Sequence, residues 1–167
     1  MGQRYLPFAA AVFVFVLDRI TKGAIRSHFS PWEAVNVIPG LFNIVHTENP
    51  GIAFGLLADL ADPWRSVLLI GLAILVLAII SGILLRAGAQ NMLLRLGLAL
   101  VMGGAVGNLF DRIVHGTVTD FVEVHMGEHY FPAFNVADSA ITIGACLLLL
   151  DMWYSRERKS KTAEVPR

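Results

Sequence analysis

The sequence predicts an α-helical integral membrane protein, with four transmembrane helices in one membrane-embedded domain that occupies residues 1–167. Composition is the first reason: 56% of the residues are hydrophobic and 16% are charged. With a mean hydropathy of +0.64, the chain is far from soluble globular domains. The second reason is residues 67–85, an apolar run without a charged side chain. About 20 apolar residues are enough for a helix to cross the hydrocarbon core of a bilayer.

The four spans are predicted at about residues 5–25, 65–85, 92–112 and 136–154. The first resembles the start of a signal peptide, but Asp18, Arg19 and Lys22 stand where small residues would mark a cleavage site. We therefore expect this span to be retained. The third span contains Gly103 and Gly107 at the G-x-x-x-G spacing, which lets helix backbones approach each other closely.

Positive charge is unevenly distributed between the connections. Residues 27–64 and 113–155 contain no Lys or Arg, whereas the C-terminal residues include Arg156, Arg158, Lys159, Lys161 and Arg167. The positive-inside rule then predicts cytoplasmic termini and two extracytoplasmic segments, at about residues 27–63 and 113–135. Residues 155–167 are predicted to form a disordered cytoplasmic tail. Because the net charge is +0, nothing indicates a nucleic-acid partner.

The first outer segment has local structure of its own. The β-prone runs VNVI and LFNIV flank Pro39-Gly40, a turn signal, and predict a small antiparallel hairpin. After Asn49-Pro50-Gly51, the run IAFGLL at residues 52–57 is apolar but too short to span the membrane. We expect it to form a short helix on the membrane surface.

Polar residues inside the spans are expected to face one another. Asp18 and Lys22 are four residues apart, in the order that favours a helical ion pair. Asn108 and Asp111 are three apart and share a helix face. That face should point into the bundle, because polar side chains that faced lipid would stay unpaired.

Asp120 and Asp138 lie at the edges of two apolar stretches, and each has an ordinary structural interpretation. Asn135 is a good helix N-cap, which places Asp138 at the third helical position, where a carboxylate favours the helix dipole. Asp120 fits a turn or strand residue that faces water. Ionisable residues within membrane segments are nevertheless often functional, so both interpretations stay open from the residues alone.

The sequence from His125 to His129, HMGEH, matches the H-x-x-E-H pattern of inverted zinc peptidases. That chemistry needs both histidines on one helical turn and a third protein ligand. Gly127 interrupts the turn and Pro132 follows closely. We therefore expect no metal site here and no cofactor.

Polar blocks occur in order from the first span to the fourth. They are DRITK (18–22), NPGIAF (49–54), GGAVGNLFDR (103–112), VTDF (118–121) and FPAFNVADS (131–139). In these blocks the chain resembles the lipoprotein signal peptidases, the bacterial type II signal peptidases. The histidines of HMGEH belong to none of the blocks, which further weakens the zinc interpretation.

The resemblance implies an aspartyl endopeptidase of the bacterial cytoplasmic (inner) membrane, whose catalytic aspartates are Asp120 and Asp138 here. It implies cleavage of diacylglyceryl-modified prolipoproteins just before the lipidated cysteine, and inhibition by globomycin-type cyclic peptides. It also implies a cradle-like extracytoplasmic sheet with a short surface helix. The residues implied to bind substrate or support the site are Asp18, Lys22, Asn49, Gly51, Phe54, Gly104, Asn108, Asp111, Arg112, Asn135 and Ala137. Membrane lipids are expected partners, nucleic acid is not, and the protein is expected to be a monomer.

Two neighbouring carboxylates suit peptide hydrolysis, because they cannot both ionise cheaply and therefore share a proton. One then acts as base on a water molecule while the other stabilises the oxyanion, but the sequence does not show which carboxyl holds the proton. An alternative is a transporter or ion-coupled protein with an intramembrane carboxylate pathway, and a purely structural assembly factor is a third. The clustering of charge at one membrane face and the featureless second span argue against a transport pathway.

Overall fold

The computed structural model describes residues 2–51, 62–86 and 91–163, and within these residues the chain forms four helices and four strands. The helices are α1 (Gly2–His28), α2 (Asp62–Arg86), α3 (Met92–His115) and α4 (Val136–Ala163). The strands are β1 (Ala34–Ile38), β2 (Phe42–Asn49), β3 (Val118–Met126) and β4 (His129–Tyr130). The predicted surface segment at residues 52–57, including Phe54, lies outside the described residues.

Helix α3 is the centre of the bundle and packs against each of the other three helices. Its glycines allow close approach on two sides. A Cβ atom on Gly103 would lie 2.6 Å from the carbonyl oxygen of Ala11 in α1, whereas one on Gly104 would meet the carbonyl oxygen of Ala137 in α4. The close packing predicted from the G-x-x-x-G spacing is therefore confirmed, and it brings α1 and α4 against neighbouring faces of α3.

Three described segments are long and apolar enough to cross a membrane: Pro63–Arg86, Met92–His115 and Val136–Arg156. Helix α1 is not among them, because Asp18, Arg19 and Lys22 interrupt its apolar sequence. Asp18 and Lys22 are nevertheless completely buried, while Phe13 and Ile20 of the same helix are exposed. Helix α1 thus turns its charges towards the bundle and presents an apolar outer face.

The strands form one antiparallel sheet in the order β1-β2-β3-β4. The predicted hairpin is confirmed: β1 pairs with β2, and Gly40 adopts a φ of 76° in the turn. Strand β3 pairs with the other side of β2, so that Thr47 lies opposite Asp120 and Asn49 opposite Val118. The sheet therefore brings the end of β2 next to the VTDF block.

The C-terminal end of α4 differs from the sequence prediction. A disordered tail was expected at residues 155–167, but α4 continues to Ala163. The sequence of its last turns contains Arg, Lys and Glu, residue types with good intrinsic helix propensity. Such residues extend a helix once packing has nucleated its earlier turns.

The packing around Gly104 gives a test of the bundle. Gly104→Ala should destabilise the protein by about 1–3 kcal/mol, because the new methyl group meets a backbone carbonyl that cannot rotate away. Gly71→Ala in α2 is the matched control, since nothing lies within 4 Å of the added Cβ. Thermal melting of the purified protein should show a lower melting temperature only for Gly104→Ala. Equal melting temperatures for the two variants would contradict the close approach of α3 to α4.

Candidate active site

Asn135 connects the two candidate catalytic aspartates. It is completely buried, just before α4, and its Nδ2 donates a hydrogen bond to Oδ1 of Asp120 at 2.6 Å. Its backbone N–H donates to Oδ2 of Asp138 at 3.2 Å. Through this one residue, the structure brings together two carboxyls that belong to different secondary-structure elements.

Asp138 has the helix-cap geometry that the sequence suggested. The Oδ1 atom of Asn135 accepts a hydrogen bond from the Asp138 backbone N–H at 3.0 Å, which completes a reciprocal capping box. The cap uses only one carboxylate oxygen, however. Oδ1 of Asp138 accepts a hydrogen bond from Nδ2 of Asn108 at 2.8 Å, so Asp138 belongs to the polar network as well as to the cap.

Asp120 does not face water as an ordinary strand residue would. It lies on β3 with only 2% of its surface exposed, and its second oxygen, Oδ2, accepts a hydrogen bond from Nδ2 of Asn49 at 3.0 Å. Burial, together with the smaller effect of the negative charge of Asp138, raises the pKa of the Asp120 carboxyl to about 7. The hydrogen bonds from Asn49 and Asn135 oppose this shift without cancelling it.

Lys22 supports this arrangement from α1. Its Nζ atom donates to Oδ1 of Asn108 at 2.9 Å and lies 2.9 Å from Oδ2 of Asp18 and 2.8 Å from Oδ2 of Asp111. The predicted Asp18–Lys22 ion pair is therefore confirmed, as is the inward face shared by Asn108 and Asp111. Because Asn108 contacts both Lys22 and Asp138, the charged cluster is continuous with the candidate catalytic residues.

Two further contacts tie α1 and the chain after β2 to the site. Oδ1 of Asp18 accepts a hydrogen bond from the backbone N–H of Ala137 at 3.1 Å, at the start of α4. Arg112 donates from Nη2 to the carbonyl oxygen of Gly51 at 3.0 Å, which holds the chain that follows β2. Asn49 accepts from the Gly51 backbone N–H at 2.9 Å, a local turn that orients its amide towards Asp120.

Several members of the cluster are not predicted from the sequence. Arg19 and Arg26 both donate to Oδ1 of Asp111, the latter at 3.0 Å. Arg26 also lies near Glu48, which accepts hydrogen bonds from Thr119 of β3 and from Thr117, just before β3. The helical spacing of Arg19, Lys22 and Arg26 could have indicated one basic face of α1, whereas nothing local indicates the partner Glu48.

The H-x-x-E-H motif does not form a helical turn. His125 lies on β3 and His129 on β4, opposite Met126 across a tight hairpin in which Gly127 has a φ of 59°. Across residues 2–51, 62–86 and 91–163, no group of three or more His, Cys, Asp or Glu side chains is arranged to hold a metal ion.

Comparisons with known proteins match one family over most of the chain. The family model described as signal peptidase (SPase) II matches residues 10–154. A lipoprotein signal peptidase of Solibacter usitatus is 42% identical over 149 residues, which cover 89% of this chain and 91% of the relative. A lipoprotein signal peptidase of Pseudomonas putida is 45% identical over 157 residues, covering 93% and 88% respectively.

Two solved structures, each described as a bacterial membrane enzyme, have the same fold. One has a TM-score of 0.82 and 28% identity, covering 97% of this chain and 93% of its own. The other has a TM-score of 0.77 and 30% identity, covering 88% and 92% respectively. The fold and the comparisons together define a membrane protease of the aspartic type. The chain belongs to the signal peptidase II family.

The Lys22 cluster can be tested by a double-mutant cycle. Lys22→Met should lower the free energy of unfolding by about 3–5 kcal/mol, because it leaves Asp18 buried without its cation. Adding Asp18→Asn removes the unpaired buried carboxylate. The double variant should therefore be more stable than the sum of the two single effects predicts. Adding Asp151→Asn instead should give additive effects within about 0.5 kcal/mol, since Asp151 lies near the middle of α4, several turns away from the Lys22 cluster. Additivity in both cycles would contradict the ion pair.

Proposed function

We propose that this protein is an intramembrane aspartyl endopeptidase that cleaves the signal peptide from diacylglyceryl-modified prolipoproteins, just before the lipidated cysteine. Asp120 and Asp138 are the catalytic pair. The observation that carries this proposal is that one buried residue, Asn135, contacts both carboxyls: its side-chain amide donates to Asp120 and its backbone N–H donates to Asp138. Family membership supports the class of reaction and the class of substrate.

The two aspartates have different environments, which suggests different roles. Asp120 is buried, and its pKa is raised to about 7, so it carries the shared proton up to about pH 7. Asp138 is partly exposed, so water reaches its carboxyl, which Asn108 and Asn135 hold in place by hydrogen bonds. Asp138 is therefore the base and Asp120 the acid of the pair.

The reaction then follows from these roles. Asp138 takes a proton from water as the water oxygen bonds to the scissile carbonyl carbon, and Asp120 donates a hydrogen bond to the developing oxyanion. The tetrahedral intermediate collapses when the bond to the cysteine nitrogen breaks and that nitrogen receives the proton from Asp138. Asn108 and Asn135 fix the two carboxyls so that little reorganisation is needed during the reaction.

In the membrane, we propose that α1 to α4 all span, with both termini in the cytoplasm and the catalytic pair at the extracytoplasmic face. The buried charges of α1 support its insertion, because they are paired inside the bundle while its outer face is apolar. The absence of Lys and Arg from residues 27–64 and 113–155 supports the orientation. A site at this boundary reaches both water and a substrate anchored in the lipid.

The proposed enzyme acts as a monomer in contact with membrane lipids, and globomycin-type cyclic peptides are its expected inhibitors. The residues that support the site do so by contact: Asp18, Lys22, Asn49, Gly51, Gly104, Asn108, Asp111, Arg112, Asn135 and Ala137. A transport function is disfavoured, because the charged residues that contact one another gather at the sheet end of the bundle.

Asp120→Asn and Asp138→Asn should each abolish cleavage of a diacylglyceryl-modified prolipoprotein peptide by the purified protein. Asn preserves side-chain size and most hydrogen bonds while it removes the ionisable group, so proton transfer is lost and the rate should fall by at least about 10³-fold. Asp151→Asn is the matched control on α4 and should retain wild-type activity. Thermal melting checks that each variant folds. A folded Asp120→Asn or Asp138→Asn variant with near wild-type activity would overturn the catalytic assignment.

The pH dependence should report the protonated state of Asp120. Because its carboxyl must carry the proton and its pKa is raised to about 7, kcat/KM should fall above about pH 7 and approach about a tenfold decrease per pH unit. The charged groups around Asp120 are Asp138, Lys22 and Arg112, and the observed midpoint belongs to this coupled set. An activity that instead rises through pH 7 to a plateau would show that Asp120 works as the ionised base.

A further inference from the structure

Glu48 forms a polar cluster outside the catalytic pair, near the end of β2. Its carboxylate accepts hydrogen bonds from the hydroxyls of Thr117 at 2.5 Å and Thr119 at 2.9 Å. Nε2 of His46 lies 3.0 Å from Oε1 of Glu48, and Nε of Arg26 lies 3.9 Å from the same atom. One carboxylate thus joins β2 to β3 and to α1.

The strand pairing places this cluster on the face of the sheet opposite to the active site. Glu48 lies opposite Thr119 in the register of β2 and β3. The residue after Glu48 is Asn49 and the residue after Thr119 is Asp120, and successive side chains of a strand point to opposite faces. Glu48 therefore ties the two strands together on one face, while Asn49 donates its hydrogen bond to Asp120 at 3.0 Å on the other.

The cluster also fixes the strand pair against the helices. Arg26 lies between Glu48 and Asp111, with Nη2 donating to Oδ1 of Asp111 at 3.0 Å. Nδ1 of His46 lies 2.9 Å from the carbonyl oxygen of Phe29, just after α1. The position of β2 and β3 relative to Lys22 and Asn108 is thus set by contacts around Glu48.

The charge state of Glu48 is suited to this structural connection. Burial alone would raise its pKa, but the hydrogen bonds from Thr117, His46 and Thr119 outweigh burial and lower the pKa below its usual value. The carboxylate is therefore ionised throughout the working pH range and accepts hydrogen bonds with both oxygens.

We propose that Glu48 is a positioning residue for the cleavage reaction, which holds Asn49 and Asp120 at hydrogen-bonding distance through Thr117 and Thr119. This inference rests on the proposed function, because it assumes that Asp120 is catalytic. Glu48 itself contacts neither aspartate in the described residues and acts only through the strands.

The direction of a pH shift separates positioning from a simple charge effect. The Asn49 hydrogen bond favours the ionised form of Asp120, so loosening it moves the alkaline fall in kcat/KM to higher pH. Removing a nearby negative charge without moving the strands would shift that fall to lower pH. A role in overall stability alone would reduce the amount of folded enzyme and leave the midpoint unchanged.

The test measures kcat, KM and their pH profiles for the full-length protein with the diacylglyceryl-modified prolipoprotein peptide. Glu48→Ala should lower kcat about tenfold, leave KM within about twofold, and raise the alkaline midpoint by about half a pH unit. Glu48→Gln should recover most of kcat, because its amide can still bond both threonines. Glu123→Ala is the matched control, a glutamate of β3 that bonds Asn43 across the same strand pair at 2.8 Å, and it should leave kcat and the midpoint unchanged.

An unchanged or lowered midpoint for folded Glu48→Ala would overturn the inference. If Glu48→Ala does not fold, the Thr117→Val, Thr119→Val double variant keeps the Glu48 charge and its contacts with His46 and Arg26. It should raise the midpoint in the same direction, and a wild-type profile would overturn the inference. The proposed function holds if the wild-type enzyme cleaves the peptide and Asp120→Asn does not. If both results are obtained and the midpoint prediction fails, only the inference about Glu48 is wrong.

Discussion

The burial of Lys22 is the constraint on which the rest of the site depends. An ammonium group removed from water needs anionic partners and hydrogen-bond acceptors, and Lys22 finds them in Asp18, Asp111 and Asn108. These partners belong to α1 and α3, so the two helices cannot separate without exposing a charge to lipid. Because Asn108 also donates to Asp138, the same constraint determines where the first turn of α4 lies.

Such a cluster requires backbones that approach unusually closely, and the glycines of α3 supply the space. A Cβ atom on Gly107 would lie 2.6 Å from Oδ2 of Asp18, the oxygen that pairs with Lys22. Gly104 removes the corresponding obstacle on the α4 side, next to Ala137. Small residues in this helix therefore support the electrostatics as well as the packing, since ion pairs in a low-dielectric interior depend strongly on distance.

Sequence patterns predicted those features that depend on residues close to one another in the chain. The turn at Gly40, the Asp18–Lys22 pair and the Asn135 cap all follow from residues within a few positions of one another. The pairing of β2 with β3 does not, because Asn49 and Asp120 are 71 residues apart and their register depends on how the helices bring the strands together. Arg26 was missed for the same reason: its partner Asp111 is 85 residues away on another helix. The polar blocks indicated the site only because they were compared as an ordered set.

The asymmetry between the two aspartates follows from the elements that carry them. Asp138 lies in the first turn of α4 and remains partly exposed, so water can reach it. Asp120 lies on a strand covered by the bundle, where burial favours the neutral acid. The first turn of a helix and a buried strand thus give the two carboxyls different exposure to water. Asn135 can bridge them because it precedes the helix and faces the strand, so its backbone N–H donates to Asp138 while its side-chain amide donates to Asp120.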